Sequence, residues 1–333
     1  LSLRYKGINY DVGTDSANEV SRPAWNSELM KRDIRAIRDD LRCNAIAVHG
    51  TNMKRLIETS EFALESGLQV WLQPRLFEVS TEELLVHLSN AAGEAERLRQ
   101  HYQKMHLNVG VEMTLLNTGF VPGNDFFERV ANFGPSTNWP EVIRKLREAL
   151  EQARTVARAK FNGPLTYSAG EWEWEAIDWE AFDVIGIDHY MDETNRGEYV
   201  EKLRFFASFE KPVVVQEFGC CTYEGAENAG GMGWAIVDRE NPDRLNGEYV
   251  RSERTQVDYI GRLLDIFHQE RLDGAFIYQF VSPDTVHSSD PLHDMDMASY
   301  GVVKVVEYDS ATGAYRWEPK QSFHEIARRF GAA

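Results

Sequence analysis

The sequence is poor in cysteine. Its three cysteines make no disulfide framework, and the adjacent Cys220 and Cys221 would bridge each other only in a strained form. This scarcity favours a reducing cytoplasm as the location of the protein. The first residue is not Met, so trimming of the N-terminus leaves secretion open.

Basic charge and long apolar runs are also scarce. The net charge of −17, with no basic patch, repels nucleic acid and anionic membrane surfaces. Apolar runs such as 213–215 are far shorter than the roughly 18 residues that span a bilayer. No CxxC, HExxH or Cys/His cluster indicates a metal site. We therefore expect no nucleic-acid or membrane partner, no metal and no obligatory cofactor.

Short β-type runs and helical stretches alternate along the whole chain. The β-type runs cover 6–10, 43–50, 68–75, 106–113, 164–172, 183–190, 212–219 and 273–280. One helix is predicted to begin at residue 27, and a second, after the run 43–50, to end at residue 66. Further helices are predicted over 80–102, 140–160, 174–181, 199–209, 252–270 and 321–330. Strands joined through helices are parallel, because antiparallel neighbours are joined by tight hairpins.

This alternation predicts an α/β fold, a single (β/α)8 TIM barrel that forms one domain over residues 1–333. Long loops follow the fourth, seventh and eighth strands. An open doubly wound sheet is the rival, and the absence of a GxGxxG motif after the first strand disfavours it.

Catalytic groups of such a barrel lie at the C-terminal ends of its strands. The residues that end the eight runs are Asn9, Tyr10 and Asp11, His49, Arg75, Glu112, Glu171, Asp188, His189 and Tyr190, Glu217, and Tyr278 and Gln279. Carboxylates and aromatic rings dominate this set, which suits a substrate rich in hydroxyl groups. We expect substrate contacts from Asn9, Tyr10, His49, Arg75, Glu171, Trp172, Asp188, His189, Tyr190, Trp234, Tyr278 and Gln279. Trp172 and Trp234 also follow strand ends, and an indole face stacks well on the apolar face of a sugar ring.

Two carboxyl groups at strand ends satisfy the chemical demand of glycoside hydrolysis. Glu112 ends the fourth run and Glu217 ends the seventh. One carboxyl group must donate a proton while the other is ionised, and both must act on one bond. A separation of about 5.5 Å makes the second group a nucleophile and retains configuration, whereas about 6.5–9.5 Å admits a water and inverts it.

The fourth, sixth, seventh and eighth runs resemble the retaining glycoside hydrolases of clan A, the 4/7 superfamily of (β/α)8 barrels. The match of VVVQEFG implies that Glu217 is the nucleophile, and Glu112 then takes the acid/base position of strand four. DVIGIDHY resembles the sixth strand, which implies that Tyr190 or His189 contacts the nucleophile. GAFIYQF resembles the eighth strand, which implies that Tyr278 forms the floor of the sugar site. The resemblance also implies a β-linked oligosaccharide or glycoside as substrate.

One position departs from the pattern of this superfamily. Asn usually precedes the acid/base and binds the 2-hydroxyl of the sugar, but this chain has Val111 there. Either Asn108 or Asn117 supplies that contact, or the acid lies elsewhere. The alternative acids are Glu171, Glu173 and Glu175, all in the GEWEWE segment.

Two other functions stay open at the level of the sequence. The departure at Val111 favours a barrel that binds carbohydrate without hydrolysing it. The His- and Asp-rich segment 287–297 is the basis of the second alternative, a metal-dependent barrel hydrolase. For the hydrolase we expect a pocket for short or terminal sugars, because three long loops follow strand ends.

Overall fold

The computed structural model describes residues 3–16 and 19–332, with eight parallel strands in a closed barrel. The strands are β1 (Tyr5–Asp11), β2 (Ala45–Gly50), β3 (Gln69–Pro74), β4 (Met105–Val111), β5 (Leu165–Gly170), β6 (Ile185–Asp188), β7 (Val213–Phe218) and β8 (Gly274–Ile277). They follow one another around the ring in chain order. The predicted TIM barrel is thereby confirmed. It positions the C-terminal end of every strand at one rim, because all the strands run parallel.

Helices connect the strands. They are α1 (Ser27–Asp39), α2 (Met53–Glu65), α3 (Thr81–Tyr102), α4 (Met113–Leu116), α5 (Phe126–Asn132), α6 (Trp139–Arg158), α7 (Tyr199–Arg204), α8 (Glu253–Gln269) and α9 (Gln321–Gly331). Side-chain caps begin several of them where the sequence predicts a start. Asn26 caps α1, and Ser80 and Glu83 form a capping box on α3.

Two helix predictions are corrected by the structure. Residues 174–181 form no α-helix, because Glu171–Ala176 and Trp179–Ala181 are two separate 3-10 helices. The helix predicted over 199–209 ends as α7 at Arg204, and Phe205–Ser208 continues it as a 3-10 turn. The loop after β4 is not wholly irregular either, because it contains α4 and α5.

The ends of β4 and β5 are also shorter than predicted. Glu112 lies just beyond β4 in a left-handed backbone conformation, with φ 38° and ψ 45°. Glu171 and Trp172 belong to the 3-10 helix after β5 and not to the strand. A C-terminal hairpin is formed by the antiparallel strands β9 (Val303–Asp309) and β10 (Ala314–Pro319).

The chain divides into two compact units. One consists of the described residues of 1–11, 22–46 and 189–333, and the other of those of 12–21 and 47–188. In the first, β7 packs on α8 through an edge-to-face contact of Phe218 with Phe267, whose ring centroids are 5.0 Å apart. In the second, the rings of Trp71 and His106 stack 4.4 Å apart on neighbouring strands β3 and β4. The single domain over 1–333 stays a prediction.

All three cysteines are free and buried. The cytoplasmic location stays a prediction. Within the described part of the chain, we find no helix with the length and apolar character that a membrane crossing needs.

Candidate active site

Glu217 lies near the C-terminal end of β7, a strand buried along its whole length. Glu217 retains 9% exposure, and its Oε2 accepts a hydrogen bond of 3.2 Å from the hydroxyl of Tyr190. The main-chain carbonyl of Glu217 accepts the amide of His189 at 3.0 Å. The segment that follows β6 is therefore tied to the end of β7 by both main chain and side chain. This arrangement fixes the orientation of the Glu217 carboxylate.

Asn9 supports β7 from the neighbouring part of the same unit. Its side-chain amide donates to the carbonyl of Gln216 at 2.8 Å, one residue before Glu217. Asn9 is completely buried. The structure therefore places this predicted substrate contact beneath Glu217, as a support for the strand.

Aromatic rings surround the end of β8. Tyr300 packs edge-to-face against both Tyr278 and Tyr190, with centroids 5.9 Å apart in each pair. Its hydroxyl donates to the carbonyl of Gly230 at 2.6 Å and accepts the amide of Gly233 at 2.9 Å. Tyr278 and Tyr190 are both half-buried. Tyr300 is not among the residues that the sequence predicts, because it lies between β8 and β9 and ends no strand of the barrel.

Gly219 allows the main chain after β7 to approach β8 closely. A Cβ atom there would lie 2.1 Å from the carbonyl oxygen of Tyr278. The neighbouring Gln279 is half-buried and donates its side-chain amide to Ser282 at 3.0 Å.

Two predicted substrate contacts of this unit, Tyr10 and His189, are buried against other side chains. Tyr10 is fully buried and donates its hydroxyl to Asp33 of α1 at 3.1 Å. His189 is 1% exposed and stacks on Tyr199 with ring centroids 3.8 Å apart. Burial lowers the pKa of His189 to about 3, so its ring is neutral at ordinary pH. Both rings pack against their own unit, and substrate binding by them stays a prediction.

In the other unit, Glu112 is half-buried and caps α4 in its left-handed conformation. Such a conformation costs a non-glycine residue about 1–2 kcal/mol, and strained residues of this kind concentrate at functional sites. The surrounding bonds hold it in place. The amide of Glu112 donates to the carbonyl of Ser168 at 2.8 Å, and its own carbonyl accepts the amides of Leu115 and Leu116, each at 3.0 Å.

The glutamates of the GEWEWE segment have three different environments. Glu171 is half-buried, Glu173 is 1% exposed, and Glu175 is exposed. Burial excludes Glu173 from contact with a substrate. Trp172 is half-buried, donates its indole N–H to Thr114 at 2.9 Å, and packs on the ring of Phe133.

The amides considered as replacements for the missing Asn are both bound to protein groups. Asn108 donates to the hydroxyl of Ser168 at 2.9 Å and accepts the amide of Gly110 at 2.9 Å. Asn117 donates to the carbonyl of Leu76 at 2.9 Å. Both side chains are also buried, with 1% exposure for Asn108 and 2% for Asn117.

The remaining predicted contacts occupy the ends of several strands. Arg75 follows β3, is 6% exposed, and donates to the side chain of Gln73 at 2.8 Å. His49 in β2 and Asp188 in β6 are 2% and 3% exposed. Trp234 is half-buried in the 3-10 helix Gly230–Ile236. Substrate binding by these four residues stays a prediction.

Ion pairs occupy the acidic segment proposed for a metal. Arg251 donates to Asp294 at 3.0 Å and to Asp296 at 2.8 Å. His287 lies 2.9 Å from the other oxygen of Asp294, and Lys320 lies 3.0 Å from Asp296. Across residues 3–16 and 19–332, no group of three or more His, Cys, Asp or Glu side chains is arranged to hold a metal ion.

Comparisons with known proteins find likeness in structure only. No family model and no curated protein matches the sequence. A solved GH113 β-1,4-mannanase complex has a TM-score of 0.64 at 14% identity, covering 99% of this chain and 100% of that one. The GH113 β-mannanase from Alicyclobacillus acidocaldarius has a TM-score of 0.62 at 13% identity, covering 99% and 98%. The β-glucuronidase 2 from Bacteroides uniformis has a TM-score of 0.61 at 14% identity, covering 99% of this chain and 35% of that one. At these identities, the likeness shows the (β/α)8 fold.

Proposed function

We propose that this chain is a retaining glycoside hydrolase that cleaves a β-linked carbohydrate. The observation that carries the proposal is the carboxylate of Glu217, placed near the end of β7 and bound by the hydroxyl of Tyr190 at 3.2 Å. A donor on one oxygen fixes the carboxylate rotamer, which an in-line attack on an anomeric carbon requires. Glu112, strained and half-buried just after β4, is the matching acid/base.

The neighbours support the substrate class. The similar solved structures are those of β-mannanases and β-glucuronidases, which are enzymes of β-linked sugars. The half-buried aromatic rings of Tyr190 and Tyr278 suit a sugar ring stacked through its apolar face.

In the first step, an oxygen of the Glu217 carboxylate attacks the anomeric carbon. The bond to the leaving oxygen breaks as the carboxylic acid of Glu112 gives that oxygen its proton. In the second step, water attacks the anomeric carbon and gives a proton to the Glu112 carboxylate. The ester bond to Glu217 breaks, and both side chains return to their starting states.

The test is a panel of aryl β-glycosides that includes β-mannosides and β-glucuronides. Glu217→Gly and Glu112→Ala should each lower turnover by at least about 100-fold. With azide, Glu217→Gly should form the α-glycosyl azide, because azide then takes the face of the nucleophile. Glu112→Ala should form the β-glycosyl azide from the glycosyl-enzyme.

Glu171→Ala is the matched variant for the alternative acid. If it yields the β-azide and Glu112→Ala keeps full activity, the acid/base role belongs to Glu171. Calorimetric sugar binding without any turnover would replace the proposal with a binding barrel. Activity that disappears on chelation and returns with a divalent cation would replace it with a metal-dependent hydrolase.

A further inference from the structure

Glu173 is a buried carboxyl group that receives hydrogen bonds from the segment just after β4. Its Oε1 accepts the amide of Thr114 at 3.0 Å and the hydroxyl of Thr114 at 2.6 Å. Its Oε2 accepts the hydroxyl of Tyr167 from β5 at 2.8 Å. The side chain lies in the 3-10 helix after β5 and is 1% exposed. It therefore has three donors from protein groups while it is closed to a substrate.

These bonds continue to the residue directly after Glu112. The hydroxyl of Tyr167 accepts the amide of Met113 at 2.8 Å while it donates to Glu173. Both residues that follow Glu112 are thus bound to Glu173, Thr114 directly and Met113 through Tyr167. The left-handed turn of Glu112 is held from its C-terminal side by one carboxyl group.

The directions of the two hydroxyl hydrogen bonds are fixed by neighbouring groups that can only donate. An indole N–H and a main-chain amide can only donate. Trp172 donates to the hydroxyl oxygen of Thr114 at 2.9 Å, so the Thr114 proton is left to point at Glu173. The amide of Met113 likewise occupies the Tyr167 oxygen, so the Tyr167 proton also points at Glu173.

We propose that Glu173 is a positioning residue for the acid/base: it holds the turn of Met113 and Thr114 that sets the direction of the Glu112 side chain. This inference rests on the proposed role of Glu112. Glu173 itself touches no reacting atom.

Burial opposes the ionised form of Glu173, whereas its hydrogen bonds favour that form. Burial raises the pKa of Glu173 to about 7, although hydrogen bonds from Thr114, Tyr167 and Gly170 act to lower it. Ionisation of Glu173 in the folded protein therefore costs free energy. Burial raises the pKa of Tyr167 well above its ordinary value, and the charges of Glu173 and Glu112 add to that rise.

The test uses the dependence of hydrolysis on the leaving group. A dinitrophenyl group leaves without a proton, whereas a phenyl group needs the general acid. A misplaced acid should therefore lower kcat/KM for phenyl glycosides and spare that for dinitrophenyl glycosides. We expect Glu173→Gln and Tyr167→Phe each to lower the phenyl value by about ten- to 100-fold, the range for a group displaced by about 1 Å.

Asp178→Asn is the matched control, because it makes the same carboxyl-to-amide change at an exposed residue whose side chain caps nothing. It should leave both substrates unchanged. Hydrogen exchange at the amides of Met113 and Thr114 gives a second readout that needs no activity. Exchange there should speed up in Tyr167→Phe by at least about tenfold, because its Met113 amide has lost its acceptor.

The outcomes separate this inference from the proposed function. If Glu112→Ala loses activity selectively on phenyl glycosides while Glu173→Gln and Tyr167→Phe affect both substrates equally or neither, the positioning role is wrong and the proposed function stands. If Glu112→Ala keeps full activity on both substrates, the acid/base role of Glu112 and the positioning role fail together.

Discussion

The raised pKa of Glu173 makes a quantitative prediction about stability and pH. Its folded-state pKa is about 7, against an ordinary value of 4.5 that we expect for the unfolded chain. The folded protein therefore binds this proton more tightly than the unfolded chain does. Stability from this group is fully present below pH 4.5 and is lost as pH rises to about 7, by roughly 3 kcal/mol in total.

The perturbation is Glu173→Gln, which removes the titrating group and keeps the shape of the side chain. Between about pH 5.5 and about pH 8.5, the wild type should lose roughly 2 kcal/mol more of unfolding free energy than the variant does. Both values avoid the region of the isoelectric point near 5.0, where solubility is lowest. Urea unfolding at the two pH values measures the difference.

Every other titrating group contributes equally to the two proteins, so the comparison isolates Glu173. Asp178→Asn, changed at an exposed carboxyl group, should follow the wild type at both pH values. If the free-energy difference between wild type and Glu173→Gln is the same at both pH values, Glu173 does not titrate with a raised pKa and the reasoning from its burial is refuted.

Two further predictions concern the turn of Glu112 and the acidic segment. Glu112→Gly should have an unfolding free energy about 1 kcal/mol higher than Glu112→Ala, because glycine adopts φ 38° without the Cβ clash; the reverse order in urea unfolding would contradict the left-handed turn. Arg251→Met should lower the unfolding free energy by about 3 kcal/mol, because the carboxylates of Asp294 and Asp296 stay buried without their main partner. Addition of EDTA should leave the melting temperature of the wild type unchanged. A melting temperature that falls with EDTA would instead indicate a bound divalent cation.

The barrel could be predicted because its signal is repeated along the chain. Each strand is a short apolar run and each connection contains a helical stretch, so errors of two or three residues at the ends do not change the topology. The position of Glu217 near the end of β7 could also be predicted, because it follows four buried residues of that strand. The end of β4 was harder to predict. A left-handed residue such as Glu112 has no signature in the sequence when the position is not a glycine.

Neighbouring residues at a strand end have different environments, which the sequence alone does not separate. Successive side chains of a strand point to opposite faces. Asn9 therefore supports β7 while Tyr10 turns to Asp33 of α1. Just beyond β6, Tyr190 donates to Glu217, whereas the preceding His189 stacks on Tyr199. Site residues at strand ends are therefore better predicted one by one than in neighbouring pairs.

The three glutamates of the GEWEWE segment have different environments that only the structure distinguishes. Glutamates two residues apart lie on one face of a strand, which predicts a common environment for all three. The segment is instead a 3-10 helix, in which each residue turns by about 120°, so positions two and four residues apart point in two other directions. Glu171, Glu173 and Glu175 are accordingly half-buried, buried and exposed.

The number of donors explains why a carboxyl group is retained at the buried position. Two oxygens with free lone pairs accept all three hydrogen bonds from Thr114 and Tyr167 at once. A glutamine there has one oxygen, and its NH2 group would face either the amide of Thr114 or the hydroxyl proton of Tyr167. The Thr114 side has a main-chain donor that cannot reverse, so the amide nitrogen must take the Tyr167 side and turn that hydroxyl proton away. The bond between Glu173 and Met113 through Tyr167 is therefore the one that an isosteric substitution weakens first.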